Sequence, residues 1–311
     1  MRNLFLIIGL AALVGCDSNA ERIPDRTGEV VNFMMTADLA DYGEAEQKSI
    51  AALMAHHIDS SQIDFIAVAG DPIHWNGVMS VHDKMWILAF ESVYTAKSLQ
   101  KIPFYVVSGN HEYKGSVQAI LDYSLHSERW NAPARYFSFE RSIQNDQQKA
   151  LWAFIDTTPL IDRYRTETYS DASQQSIEKQ LSWLDSTLIT STAYWKFVIG
   201  HHPIYADSRF PKSEQADMQE RVGRILEKHQ VDFYIAGHLH NFQHLKPEGK
   251  SVDYIVNSAA SSGNTVNPLK ETVFCSPDPG YSVFSVSADN VTFSFVNHKG
   301  QVIYRKIVEK K

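Results

Sequence analysis

Residues 63–71 read IDFIAVAGD, an apolar run that ends in a glycine and an aspartate. A short continuous apolar run followed by turn residues is typical of a strand buried on both faces. The carboxylate directly after this strand, Asp71, either closes a turn or reaches a ligand. His74, three residues further on, raises the same two possibilities. The neighbouring elements and the other strand ends of the chain are needed to decide between them.

Similar apolar runs alternate with helical patterns along the chain. Predicted strands occupy residues 30–38, 63–71, 102–110, 147–158, 195–202 and 231–240. Predicted helices occupy residues 44–61, 82–99, 116–129, 173–189 and 213–230. The last part is strand-like throughout, at 252–260, 280–289, 291–298 and 301–309. This alternation indicates an α/β fold with helices on both faces of the sheets, and we predict one domain, residues 30–308, built as a two-sheet sandwich.

Five of the predicted strands end in side chains that bind metals well. In open α/β sheets the carboxyl ends of the strands form the ligand crevice, so these side chains are expected to meet there. Each one alone is ordinary, because an Asp or Asn after a strand usually closes a turn. Two carboxylates, an amide and several imidazoles in one series favour a metal site. The residues are Asp38, Asp71, Asn110-His111-Glu112, His201-His202 and His238 with His240.

Charge and composition restrict the partners. The net charge is −7, and the lysines and arginines are scattered along the chain. A nucleic-acid surface would need a basic stripe, so this class of partner is excluded. A small anionic substrate remains compatible, because the local charge of a metal ion outweighs the global balance. Nothing in the sequence specifies an oligomeric state.

The strand ends form the series D…GD…GNH[DE]…GHxP…GHxH, which resembles that of calcineurin-like metallophosphoesterases. The sequence between them, for instance residues 101–139 and 231–245, is similar to the small tartrate-resistant type of purple acid phosphatase. The likeness covers residues 30–308. It implies a four-layer α/β/β/α sandwich and an acid-phosphatase-like enzyme that hydrolyses small phosphate monoesters.

The resemblance also implies two adjacent metal ions, iron in one position and iron, manganese or zinc in the other. Asp38 and His240 would hold the first ion, Asp71 would bridge both, and Asn110, His201 and His238 would hold the second. A metal-bound hydroxide would attack phosphorus in line, with the metal pair stabilising the attacking and leaving oxygens.

Residues next to these ligands would serve the substrate. Asn110 and His111 would face the phosphoryl group, with His111 donating to one of its oxygens or protonating the leaving alkoxide. Glu112 would accept from the other ring nitrogen of His111 and orient it, or else remain a solvated turn carboxylate. Arg209 either binds the substrate phosphate or is a surface charge. His202 is expected to support the site, since adjacent side chains on a strand diverge.

The chain departs from the family at two positions. Purple acid phosphatases carry an iron-binding tyrosine three residues after the bridging aspartate, where this chain has His74, and Ala40 replaces a family glycine. His74 either takes the place of the tyrosinate as a ligand or is hydrogen-bonded nearby. A neutral imidazole would favour divalent over ferric ions and would leave the protein without a purple colour. Tyr42 could supply a phenolate, but its spacing does not match.

The N-terminus indicates export. Residues 1–15 read as a signal peptide, and Leu13-Val14-Gly15-Cys16 resembles a bacterial lipobox that would lipidate Cys16. Residues 16–29 would then tether the domain to the periplasmic face of the cell envelope, and Asp17 suggests the inner membrane. The alternative is an ordinary signal peptide with a chance cysteine. The only other cysteine is Cys275, so no disulfide within the domain is expected.

Three functions remain open at this point. The first is a metal-dependent phosphomonoesterase. The second is a phosphodiesterase or nucleotide pyrophosphatase that uses the same site. The third is a non-catalytic envelope lipoprotein whose site has decayed.

Overall fold

The computed structural model describes residues 30–39, 44–143 and 148–310. The predicted signal peptide and tether, with Cys16 and Asp17, lie outside these residues, as do Ala40 and Tyr42. Among the described residues, no helix is both long and apolar enough to cross a membrane.

Strands dominate the described part of the chain. In chain order they are β1 (Val31–Thr36), β2 (Phe65–Ala69), β3 (Phe104–Val107), β4 (Trp130–Asn131), β5 (Phe137–Ile143), β6 (Gln148–Phe154), β7 (Trp195–Ile199), β8 (Phe233–Ala236), β9 (Phe242–Leu245), β10 (Asp253–Val256), β11 (Thr272–Ser276), β12 (Gly280–Val286), β13 (Asn290–Asn297) and β14 (Val302–Glu309). The α-helices are α1 (Ala45–Ser60), α2 (Val117–Asp122), α3 (Ser170–Gln174), α4 (Ile177–Thr190), α5 (Lys212–Met218) and α6 (Arg224–Lys228). Two π-helical turns, Ile87–Glu91 and Gln219–Gly223, and several short 3₁₀ turns complete the elements.

The strands form two seven-stranded mixed sheets. The first sheet has the order β14-β13-β12-β1-β2-β3-β4, in which β1 to β4 are parallel and β12 to β14 are antiparallel hairpin strands. The second has the order β11-β9-β10-β8-β7-β6-β5, with β6, β7, β8 and β10 parallel. All the parallel strands except the two-residue β4 were predicted from the sequence, β10 as part of the strand-rich last segment.

Aromatic side chains fill the space between the sheets. Phe33 on β1 stacks between Phe65 at 5.1 Å and Phe284 at 4.7 Å, its register partners on β2 and β12. Trp152 and Phe197 of the second sheet meet the ring of Phe33 edge-on at 5.7 and 5.5 Å. All five rings are fully buried, so this cluster holds the two sheets face to face.

Helices cover both outer faces of the sandwich. Met54 of α1 packs on the first sheet, together with Trp86 and Phe90 from residues 82–99, which follow β2. Leu184 of α4 and Leu226 of α6 pack on the second sheet. The prediction of a single-domain α/β sandwich with four layers is confirmed.

The prediction of a regular helix at residues 82–99 was wrong in detail. The segment forms one π-helical turn, Ile87–Glu91, between irregular turns. Trp86, Phe90 and Tyr94 are buried and four residues apart. Such residues drift by about 40° around a regular α-helix at every step, whereas a wider π turn keeps them on one face. The core contacts of these three rings therefore override the regular helix.

Four strands were missed. β4, β5 and β11 are edge strands, and β9 lies next to β11. β5 alternates aromatic with polar or charged residues, and its Phe137 and Phe139 pack against the core between the sheets. Charged residues are common on edge strands because they discourage pairing with other chains, and they also weaken the apolar signal of the strand.

Candidate metal centre

The carboxyl ends of the parallel strands from both sheets meet at one edge of the sandwich. A backbone bridge between Ala37, after β1, and Ala259, after β10, joins the two sheets there. The loops after β1, β2, β3, β7 and β8 converge beside this bridge. They bring together six of the predicted ligand residues, Asp38, Asp71, Asn110, His201, His238 and His240.

Four of these residues have a left-handed backbone. The φ angles are 48° at Asp38, 48° at Asp71, 73° at His238 and 55° at His240. Residues other than glycine rarely adopt this conformation, which costs free energy and clusters at functional sites. Here it turns each side chain sharply out of its strand and into the crevice. The backbone N–H of Asp38 donates to the carbonyl of Gly70 at 3.0 Å, which ties the first two loops together.

The first group of candidate ligands consists of Asp38, His74 and His240. Nε2 of His240 lies 3.1 Å from Oδ1 of Asp38, and Nε2 of His74 lies 3.6 Å from the same oxygen. The rings of His74 and His240 stack with their centroids 5.3 Å apart. His74 is buried and reaches both carboxylates, since its Nε2 is also 3.4 Å from Oδ2 of Asp71.

The second group consists of Asp71, Asn110, His201 and His238. Nε2 of His201 lies 3.1 Å from Oδ2 of Asp71 and 3.3 Å from Oδ1 of Asn110. Nδ1 of His238 is 3.2 Å from the same Nε2. His201 is held from behind, because its Nδ1 meets the carbonyl oxygen of Ala69 at 2.8 Å. Asp71 is therefore placed between the two groups.

The donor set fits two metal ions. Oδ1 of Asp38 is buried and accepts no hydrogen bond from the described residues, although two imidazole nitrogens face it within 3.6 Å. Lone pairs that converge without a hydrogen bond between them are what a cation needs. Carboxylate oxygens and imidazole nitrogens together suit Fe, Mn or Zn. Gly70, directly before Asp71, lets the ring of His201 pack against the backbone, because a side chain at this position would collide with the ring.

The pKa values of the four side chains at the site indicate a strongly negative electrostatic potential. Burial alone would lower the pKa of His74, but the carboxylates of Asp38 and Asp71 raise it to about 10. The pKa of His201 rises to about 9 against burial, mainly through Asp71. Burial would in turn raise the pKa of each carboxyl group, and the facing imidazoles hold both values well below 3.8. A site that attracts protons this strongly also attracts metal cations, which must displace them.

The profile of the calcineurin-like phosphoesterase family matches residues 31–242. The chain belongs to this family. The phosphoesterase is 28% identical to purple acid phosphatase 4 of Arabidopsis thaliana, over 97% of this chain and 90% of that protein. It is 26% identical to human tartrate-resistant acid phosphatase type 5, over 86% of this chain and 85% of that protein.

A solved structure, described as GAP50, the anchor in the inner membrane complex of Plasmodium, has a TM-score of 0.76 and 22% identity, over 91% of this chain and 89% of that one. This likeness concerns the fold. The family match and the two related phosphatases show that the chain is an enzyme of the phosphatase class, similar to purple and tartrate-resistant acid phosphatases.

His111 of the phosphoesterase lies at the mouth of the centre. Its side chain is 15% exposed, its Nε2 is 3.7 Å from Oδ2 of Asp71, and its backbone N–H donates to Oδ1 of Asp71 at 2.9 Å. Nδ1 meets the carbonyl oxygen of Trp75 at 2.6 Å. The exposed ring of Trp75 lies beside it, with centroids 5.8 Å apart, so Trp75 lines the opening.

Neither sequence interpretation of Glu112 agrees with the structure. Its carboxylate is fully buried, so it is not a solvated turn residue. It accepts from the backbone N–H groups of Gly109 at 2.8 Å and Ile73 at 3.3 Å, while Nδ1 of His111 is bound by Trp75. Burial, with the nearby charge of Asp71, raises the pKa of Glu112 to about 8. Glu112 thus joins the loops after β2 and β3, and the orienting role expected of it falls to the backbone of Trp75.

Two further predicted residues border the centre. The exposed Arg209 donates to Oδ1 of Asn264 at 3.2 Å and lies over the ring of Phe210, which stacks on His238 with centroids 4.1 Å apart. His202 is buried, with its Nδ1 2.8 Å from Oγ1 of Thr157. Its ring packs 4.5 Å from that of His238.

The sequence interpretation missed one carboxylate altogether. Glu214 of α5 is buried, and its Oε2 lies 3.3 Å from Nε2 of His238. Its only sequence signal is an acidic residue on a helix, which is usually a solvated one.

Proposed function

We propose that this phosphatase is a two-metal phosphoric ester hydrolase with a preference for monoesters. The observation that carries the proposal is the position of Asp71 between two groups of facing ligand atoms. Asp38, His74 and His240 would hold one ion, and Asn110, His201 and His238 the other, with Asp71 shared. When bound, such a pair activates water and neutralises charge on the phosphoryl group.

His111 is the proposed proton carrier. Because the carbonyl of Trp75 accepts from Nδ1–H, the nitrogen that exchanges its proton is Nε2, which faces the centre. Burial and the neighbouring His74 lower the pKa of His111, although Asp71 opposes this. An imidazole poised in this way can hold a proton for the leaving oxygen of an ester. Asn110 and the exposed guanidinium of Arg209 would contact the phosphoryl group.

His74 is proposed as a metal ligand in place of the family tyrosinate. It is buried, and its Nε2 faces Asp38 at 3.6 Å and Asp71 at 3.4 Å. A neutral ligand here adds one positive charge relative to a phenolate. We therefore expect divalent Fe, Mn or Zn to be favoured over ferric iron, and the protein to be colourless.

The ligand set of this chain argues against the non-catalytic alternative. GAP50 is described as an anchor, so this fold alone does not imply catalysis. In this chain, however, two carboxylates, an amide and four imidazoles converge in the crevice, which favours a working centre.

The decisive experiment combines metal content with hydrolysis. Purified protein is analysed for Fe, Mn and Zn, and an aryl phosphate is compared with its bis-aryl diester before and after metal removal. We expect two ions per chain, faster hydrolysis of the monoester, and loss of activity with chelation. Faster diester hydrolysis would favour the phosphodiesterase alternative. Full activity without metal, or no activity with both positions filled, would overturn the proposal.

The cellular location is proposed from the sequence alone. We propose that Cys16 is lipidated after cleavage and tethers the enzyme to the periplasmic face of the inner membrane. Membrane fractionation of the wild type and Cys16→Ser tests this. Both proteins in the soluble fraction would refute the lipid anchor.

A further inference from the structure

Glu214 is a buried carboxylate whose contacts lead to the candidate metal centre. It is 3% exposed. Oε1 accepts from Nη1 of Arg163 at 2.5 Å and from the hydroxyl of Tyr164 at 2.9 Å. Oε2 faces Nε2 of His238 at 3.3 Å. Burial of a carboxylate is unfavourable unless its oxygens are paired, and here both oxygens have a partner.

The helix that carries Glu214 is fixed independently of His238. The side chain of Gln215 exchanges two hydrogen bonds with the backbone of Ala206, both at 3.1 Å. Asp217 accepts from the backbone N–H of Asp162 at 2.9 Å. These contacts tie α5 to loops on two sides, so the carboxylate is held in place before it meets the imidazole.

The ring of His238 is held in one orientation. Its backbone N–H donates to Oδ2 of Asp38 at 2.9 Å, and its ring is stacked against Phe210 and packed against His202. Nε2 faces Glu214, while Nδ1 lies 3.2 Å from Nε2 of His201, inside the second ligand group. A carboxylate only accepts hydrogen bonds, so the nitrogen facing it carries the hydrogen and the other nitrogen has a free lone pair.

We infer that Glu214 is a positioning residue that holds His238 as the Nε2–H tautomer, with the Nδ1 lone pair directed at the second metal position. The inference rests on the proposed two-metal function. Arg163 balances the charge of Glu214, so the imidazole gains a hydrogen-bond acceptor without adding a full negative charge to the centre. Carboxylates behind metal-binding histidines typically strengthen metal affinity ~10–100-fold.

The inference predicts an effect on one metal position only. Full-length protein is stripped of metal and titrated with Zn²⁺ by calorimetry in the wild type, Glu214→Leu and Glu214→Gln. Glu220→Gln is the matched control, because this exposed glutamate lies on the same helical segment and, within the described part of the chain, pairs only with Arg224 four residues on. We expect Glu214→Leu to weaken one of two binding events ~10–100-fold and to leave the other unchanged. Glu214→Gln should recover part of the loss, because its amide oxygen still accepts from Nε2–H.

A second measurement separates positioning from structural support. The tautomer of His238 is read from ¹⁵N shifts of the metal-free protein labelled at histidine. The wild type and Glu220→Gln should show the Nε2–H form, and Glu214→Leu a mixture. Two unchanged binding events in Glu214→Leu, an equal loss at both, or an Nδ1–H form in the wild type would each overturn the inference. If the wild type binds fewer than two ions, this result counts against the proposed function instead. The tautomer of His238 would still test whether Glu214 positions this ring.

Discussion

Replacing Asp71 by asparagine tests whether one carboxylate serves both metal positions. Asparagine keeps the volume and one oxygen but removes the negative charge. Oδ2 of Asp71 lies 3.1 Å from Nε2 of His201 and 3.4 Å from Nε2 of His74. His201 belongs to the second ligand group and His74 to the first. Oδ1 accepts from the backbone N–H of His111, which the amide oxygen of asparagine can still do. The change therefore removes charge while leaving the loop in place.

The pKa of His201 gives the magnitude. It rises from 6.5 to about 9, although burial opposes this, and Asp71 makes the largest favourable contribution. This rise of about 2.5 in pKa, at about 1.36 kcal/mol for each unit, corresponds to ~3 kcal/mol for one positive charge, and Asp38 and the carbonyl of Ala69 contribute to it as well. Asparagine removes the largest part of this field, and a divalent ion experiences the field with twice the charge. We therefore expect Asp71→Asn to weaken metal binding by ~100-fold or more.

Two assays follow this change. Calorimetric titration of metal-free protein with Mn²⁺ measures the affinity, and NMR titration of His201 measures its pKa directly. Asp289→Asn, an exposed aspartate between β12 and β13, is the control for the substitution itself. The reasoning is refuted if Asp71→Asn binds two ions as the wild type does while the pKa of His201 stays near 9.

Three further predictions concern single residues. His74→Tyr should give iron-loaded, oxidised protein a visible absorption band that the wild type lacks; without a band, residue 74 does not reach the metal. Glu112→Gln should lower the free energy of unfolding by ~1–3 kcal/mol in a urea titration above about pH 8, where the carboxylate is ionised, because one of the backbone N–H groups of Gly109 and Ile73 loses its acceptor. Burial raises the pKa of Asp156 to about 7 from 3.8, so the folded protein keeps a proton that the unfolded chain releases. The contribution of Asp156 to stability should therefore fall as pH rises from about 4 to 7, and Asp156→Asn should make the fall in melting temperature over this range shallower; an equal slope in both proteins contradicts the assignment.

The candidate ligands were predictable because each follows a buried strand. A strand that is apolar throughout and ends in Gly-Asp or Gly-His gives a local signal, and parallel topology brings such ends to one edge. This is how Asp38 and His238, 200 residues apart, were placed at one site before any contact was known.

The partners of Glu112 and Glu214 were not predictable in the same way. A glutamate next to His111 suggests contact with it, but the side chain turns back under the loop to the amides of Gly109 and Ile73. Glu214 contacts His238 from a different element, and only the packing of α5 brings them together. Which of several nearby donors a carboxylate meets depends on tertiary contacts, and hydrophobic periodicity carries no information about them. The π turn at Ile87–Glu91 has the same origin, since core contacts override a helical pattern.

The bridge between Ala37 and Ala259 has a consequence for how the enzyme matures. Four candidate ligands follow strands of the first sheet and three follow strands of the second, and this bridge joins the sheets beside them. Neither half of the chain holds a complete set, so the centre does not exist until the two sheets have docked. On the proposed assignment, the complete metal centre therefore forms only after the sheets have docked. The ions available in the compartment where this happens then act together with the ligand set in determining which metals the enzyme carries.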